Sequence, residues 1–117
     1  MNDTIRGLYD VILSRKHQKE EGSYTAYLFE QGIDKILKKI GEESSEVIIA
    51  AKNLENASDE NTNERSELNN EICDLMYHLL VLMADMNISV DEIEEILEER
   101  RQKSGNLKPQ KNVDKNT

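Results

Sequence analysis

The segment Ile33-Asp34-Lys35-Ile36-Leu37-Lys38-Lys39-Ile40-Gly41-Glu42-Glu43-Ser44-Ser45-Glu46-Val47-Ile48-Ile49-Ala50-Ala51-Lys52-Asn53 carries the periodicity from which the fold follows. At about 100° per residue, Ile33, Ile36, Leu37, Ile40, Val47, Ile48 and Ala51 gather into one broad stripe, which predicts an amphipathic helix over 33–53. Glu43 falls on the edge of that stripe, close in angle to Ile36. Glu46 lies roughly 60° further out, with Lys39 between them and Lys35 near Glu46. The helix therefore presents core, then carboxylates, then lysines in angular order. Gly41 costs about 1 kcal/mol against alanine in mid-helix. Its place directly before the acidic triplet predicts a close approach there by a backbone or a ligand.

Outward from this segment the pattern stays helical. Ile5, Leu8, Tyr9, Ile12 and Leu13 follow the i, i+3, i+4, i+7, i+8 stripe of a first helix ending around Lys19. Ser23 or Thr25 is suited to cap a short helix running through Glu30, which Gly32 closes. Residues 54–63, rich in Asn, Asp, Glu, Ser and Thr, read as a connection. A further helix is expected over 64–86 with Leu68, Ile72, Leu75, Leu79, Leu82 and Met86 as its inner stripe. Ser89-Val90-Asp91-Glu92 matches a capping box opening a last helix to about Lys103. No segment alternates as a strand does, and the single proline, Pro109, comes after all of these. The expected architecture is all-α, a bundle of about four to five helices in one domain over 1–104. The polar stretch 105–117 is expected to be a disordered tail.

Composition narrows the partners. With 24 acidic and 15 basic residues the net charge is −9, a field that discourages binding to nucleic acid or an anionic membrane and requires a cation at any anionic substrate. One cysteine excludes an intramolecular disulfide, and no apolar signal-peptide run opens the chain, so a cytoplasmic setting is expected. The nearly apolar run 75–84 is too short to cross a bilayer and reads as a buried helix. That run is apolar on more sides than one neighbour can cover, which predicts a homodimer that completes the bundle.

The chemistry resides in Glu42, Glu43 and Glu46 on one helix and Glu71 and Asp74 on another. Carboxylates three and four apart share a helix face, so each helix projects an acidic group sideways. Two carboxylates about 4 Å apart repel by roughly 1 kcal/mol in water and about 4 kcal/mol at an effective dielectric near 20. Mg²⁺, an oxygen-seeking cation that bridges carboxylates to phosphates, relieves that repulsion. An acidic run alone is commonly a solvated face, but Glu71 and Asp74 interrupt a nearly apolar helix, where carboxylates need partners. By contrast Glu94, Glu95, Glu98 and Glu99 with Arg100 and Arg101 read as a charge-paired solvent face. His78 reads as a core or interface residue, and Cys73 as packing.

The spacing Glu42-Glu43-x-x-Glu46 followed by Glu71-x-x-Asp74 resembles the signature of the MazG-like all-α nucleotide pyrophosphohydrolases. The flanks narrow this. Ser23-Tyr24-Thr25, the run 34–43, Glu46 to Asn53 and Asp74 to Leu82 are similar to the phosphoribosyl-ATP pyrophosphohydrolase family of histidine biosynthesis, over about residues 5–103. Two departures are a longer connection around 57–64 and the polar tail.

The resemblance implies hydrolysis of N1-(5-phosphoribosyl)-ATP at the α–β phosphate bond with Mg²⁺, for which Mn²⁺ can substitute. It implies Glu43, Glu46, Glu71 and Asp74 as catalytic metal ligands and Glu42 as a more peripheral one. Ser23, Tyr24, Thr25, Lys35, Lys38 and Lys39 follow as substrate contacts. Two other functions compete. A house-cleaning nucleoside triphosphate pyrophosphohydrolase would share the acidic motif without these flanks, and a non-catalytic acidic helical dimer would use its carboxylates only toward ions or water.

Overall fold

The computed structural model describes residues 2–58 and 63–105. It contains five helices, α1 (Asn2–His17), α2 (Tyr24–Gln31), α3 (Ile33–Glu55), α4 (Asn63–Asp85) and α5 (Val90–Gly105), and no strand among the described residues. The expected all-α class and the helix order hold, with helix ends displaced by a residue or two. Of the stretch 105–117, expected to form a tail, Gly105 is the last residue of α5, and residues 106–117 lie outside the described residues.

α3 and α4, each 23 residues and so about 34 Å long, form the antiparallel hairpin on which the remainder is built. α1 and α2 close one side of it. Tyr9, Ile12, Leu28, Ile36, Leu80, Val81, Ala84 and Val90 make the buried core, with Ile12, Leu28, Ile36 and Val81 fully enclosed.

The junctions follow from local chemistry. Ser23 caps α2, its hydroxyl accepting from the Ala26 amide at 3.1 Å. Gly32 ends α2 and starts α3 at φ 93°, ψ −176°, a conformation open in practice to glycine alone, so one residue turns the chain between two helices. Asn87, at φ 60°, ends α4; the Ile88 amide reaches the Met83 carbonyl at 2.8 Å and the Asn87 amide the Ala84 carbonyl at 3.3 Å, the paired bonds of a Schellman end. Lys16 of α1 donates to the Ala84 carbonyl at 2.8 Å, adding positive charge where the helix dipole is negative. The capping box forms as expected: the Ser89 amide donates to Glu92, and the Glu92 amide donates to the Ser89 hydroxyl. Arg6 ties α5 back to α1 through Asp91 and Glu94. Glu98 and Glu99 pair with Arg101 and Lys103 on the solvent side.

Two expected faces are corrected. On α3 the inward positions are Ile36, Glu43 and Ala50, whereas Leu37 and Ile48 are 48% and 65% exposed. On α4 they are His78, Leu80, Val81 and Ala84, while Ile72, Leu79 and Met86, expected inside, face outward. Both helices are rotated so that acidic and aromatic residues enter the seam and a set of aliphatic residues is left outside. Cys73, expected to pack, is likewise exposed. No single helix among the described residues is long and apolar enough to cross a membrane.

Candidate active site

Rotation of α3 toward α4 brings three of the expected ligands together. Glu43, Glu46 and Glu71 each offer a carboxylate oxygen, and these oxygens lie within 4.8 Å of one another. Glu43 is buried, Glu71 partly so, and Glu46 stands at the solvent edge. Beside them a cleft of about 170 Å³ opens between Glu46, Ala50, Asn53, Glu67 and Glu71. Asp74 is exposed and lies outside the trio, acting on Glu43 and Glu71 through its charge. Glu42 is exposed and stands apart from the cluster.

The electrostatics record crowding. Burial pushes the Glu43 carboxyl above its ordinary range; a hydrogen bond with Glu46 and the charge of Glu46 add to this, and His78 opposes it. Glu71 is pushed up to about 7, first by a hydrogen bond with Glu46, then by burial and by the charges of Glu46, Asp74 and Glu43. Two carboxyls that share a proton hold it more tightly than either alone. Glu43 Oε2 and Glu71 Oε2 are buried without a hydrogen-bond partner. Buried carboxylate oxygens normally have partners, and two orphans beside a third carboxylate suit an oxygen-seeking divalent cation.

His78 links this cluster to α2. Its Nδ1 lies 2.8 Å from the Asp74 carbonyl and 3.9 Å from Glu43 Oε1, and its Nε2 is 2.8 Å from the Tyr24 hydroxyl. A carbonyl can only accept, so Nδ1 carries the ring proton and Nε2 accepts from Tyr24. The neighbouring Tyr77 hydroxyl pairs with Thr25 Oγ1, and both tyrosines meet His78 edge-on. Burial raises the Tyr24 pKa; Lys39 opposes that rise and Glu43 reinforces it.

Of the expected substrate contacts, Ser23 is engaged as a helix cap and Thr25 is buried against Tyr77. Tyr24 stands 46% exposed. Lys35 and Lys39 are partly exposed and Lys38 fully so, and none has an ion pair among the described residues. No protein atom outside the local helix approaches within 4 Å of a Cβ placed at Gly41. The expected close approach by backbone is therefore absent, and the space beside Gly41 is free for a ligand. The link from His78 to Tyr24 was missed in the sequence, where the one signal was that His78 follows Asp74 by one helical turn.

A family model described as phosphoribosyl-ATP pyrophosphohydrolase matches residues 5–101. Curated relatives carry the name phosphoribosyl-ATP pyrophosphatase. The one from Clostridium botulinum strain Hall is 53% identical over 107 residues, covering 92% of this chain and 89% of the relative. That from Listeria welshimeri is 48% identical over 110 residues, covering 94% and 97%. That from Pelotomaculum thermopropionicum is 54% identical over 101 residues, covering 86% and 94%.

Proposed function

The chain belongs to the phosphoribosyl-ATP pyrophosphohydrolase family, and from that premise we propose that it hydrolyses phosphoribosyl-ATP to phosphoribosyl-AMP and pyrophosphate, the second step of histidine biosynthesis. The observation that carries the proposal is the cluster of Glu43, Glu46 and Glu71, two of whose carboxylates each have a buried, unpartnered oxygen. These three residues would hold the divalent cation, Mg²⁺ with Mn²⁺ as substitute. Asp74 and, more remotely, Glu42 contribute negative charge and further oxygens. When bound, such an ion supplies positive charge against the phosphate oxygens and acidifies a nucleophilic water.

The chain's own residues do the rest. A carboxylate of the cluster not engaged on the cation accepts the proton of the attacking water. Lys39, one turn before Glu43 and beside Tyr24, together with Lys35 and Lys38, offsets charge on the departing pyrophosphate. Tyr24, held by His78, fixes the nucleoside part relative to the carboxylates, and Ser23 and Thr25 position Tyr24 by capping α2 and tying that helix to Tyr77.

A homodimer is part of the same proposal. Leu37, Ile48, Ile49, Ile72, Met76, Leu79, Ile93, Ile96 and Leu97 are exposed. Several of them line an apolar groove of about 380 Å³ between α1, α4 and α5. Apolar exposure on this scale supports an interface with a second copy. The setting we infer is the cytoplasm.

Incubation with phosphoribosyl-ATP, ATP and several deoxynucleoside triphosphates in Mg²⁺, scored by pyrophosphate release, tests the activity. Strong preference for phosphoribosyl-ATP is expected. Preference for the deoxynucleotides would favour a house-cleaning role, and no release from any of them would leave a non-catalytic helical protein.

A further inference from the structure

The start of α2 carries a second feature that the carboxylate chemistry does not use. The chain has four tyrosines, one phenylalanine and no tryptophan, yet Tyr24 and Tyr27 stand 46% and 42% exposed. Their rings are stacked, with centroids 6.4 Å apart and planes at 29°. Both line a surface cavity of about 610 Å³ between the end of α1 and α2. Large aromatics exposed side by side forfeit the burial that normally holds them, so a flat ligand that covers them gains what the fold leaves unused.

The charges around the cavity select the kind of flat ligand. Glu20, Glu21 and Glu30 line it against a single ammonium, Lys19. Lys19 is spent on Glu30 at 2.7 Å, and Arg15 neutralises Glu20 at 3.0 Å. Glu21 has no cationic partner among the described residues. A phosphate is repelled by such a lining, whereas a delocalised cation is attracted both by the carboxylates and by the faces of the rings. N1-substituted adenine is such a cation: alkylation at N1 converts the ring to an amidine that holds a proton near neutral pH, which adenine itself does not. One wall of the cavity is tied to the carboxylate cluster, because the Tyr24 hydroxyl lies 2.8 Å from His78 Nε2 and the His78 Nδ1 lies 3.9 Å from Glu43 Oε1.

We propose that Tyr24 and Tyr27, with Glu21 at the rim, form an aromatic and acidic seat for the positively charged N1-substituted purine, and that this seat distinguishes phosphoribosyl-ATP from ATP. The proposal rests on the activity described above and adds the means of substrate discrimination. Tyr27 is the residue whose replacement isolates the ring, since its hydroxyl makes no bond within the protein among the described residues, whereas the hydroxyl of Tyr24 is committed to His78.

The test compares binding of 1-methyl-AMP and AMP by calorimetry in Mg²⁺, two nucleotides that differ in the N1 substituent and its charge and that release no pyrophosphate. The wild type should bind 1-methyl-AMP about three- to thirtyfold more tightly, the range of a cation on an aromatic face. Tyr27→Leu should bind both alike, and Tyr27→Phe, which keeps the ring, should restore the preference. Equal affinities in the wild type, or a preference that survives Tyr27→Leu, would overturn the proposal. So would an altered mass of Tyr27→Leu in light scattering with the preference intact, which would make the pair an interface patch. Because the readout is binding, it stands apart from the pyrophosphate assay: a wild type that cleaves phosphoribosyl-ATP but does not prefer 1-methyl-AMP sinks the aromatic seat alone.

Discussion

Neutralising Glu46 should stabilise the metal-free protein while weakening its response to metal. Glu46 is the residue through which both Glu43 and Glu71 are perturbed, by hydrogen bond and by charge. Its oxygen lies within 4.8 Å of one on Glu43. Two unit charges at that separation repel by about 0.9 kcal/mol in water and about 3.5 kcal/mol at an effective dielectric of 20. Glu46 is exposed, so the lower figure applies, and relief of about 1 kcal/mol raises the melting point of a domain this size by roughly 4 °C. Glu46→Gln, melted at pH 8 with chelator, should therefore unfold about 4 °C above the wild type. Mg²⁺ at a hundred times its dissociation constant stabilises the wild type by about 2.7 kcal/mol through mass action, an upward shift of roughly 10 °C by the same conversion. The variant should move by much less. A lower apo melting point together with an equal Mg²⁺ response would remove Glu46 from the ligand set and return the cluster to a solvated acidic face.

Chelation should abolish pyrophosphate release, with Mg²⁺ or Mn²⁺ restoring it better than Ca²⁺, whose longer and more numerous bonds fit a three-carboxylate cluster poorly; full turnover in excess chelator would refute the cation's role. In metal-free protein the sign of the pH dependence follows from Glu71, whose folded pKa of about 7 lies above the ordinary 4.5. Below pH 4.5 both states are protonated, whereas between 4.5 and 7 the folded state keeps a proton that the unfolded state has lost. Stability should fall as pH rises through that window and level off above it, and Glu71→Gln should flatten the slope; an unchanged slope counts against the shared proton. Gly32→Ala should cost about 1–3 kcal/mol because the junction torsions exclude a side chain, and an unchanged denaturant midpoint would contradict this. Light scattering at micromolar concentration should give a dimer mass that Leu79→Asp lowers, and a monomeric wild type would refute the interface.

Much of the fold was written in short-range pattern. Period-3.6 recurrence, Gly32 between two helices and the Ser89–Glu92 box act within a few residues of one another, and the structure bears out the helices, the junction and the cap that they predict, though not the inward arcs of α3 and α4. The acidic motif was legible for the same reason, because carboxylates three and four apart share a helix face wherever the helix packs. Which arc of α3 and α4 turns inward was not. Leu37, Ile48 and Ile49 flank Ile36, Glu43 and Ala50 on a wheel that is apolar over a wide arc. Amphipathicity measures hydrophobicity by angle without saying whether the burying surface is the same chain or another. That choice is made by α1, α2 and α4 packing together, and it puts Glu43 at a core position while leaving Ile48 and Leu79 outside. The bonds from Tyr24 to His78 and from Thr25 to Tyr77 span 54 and 52 residues. No local spacing encodes them, so the attachment of the aromatic pair to the carboxylate cluster exists only once α2 has docked across the end of the α3–α4 hairpin.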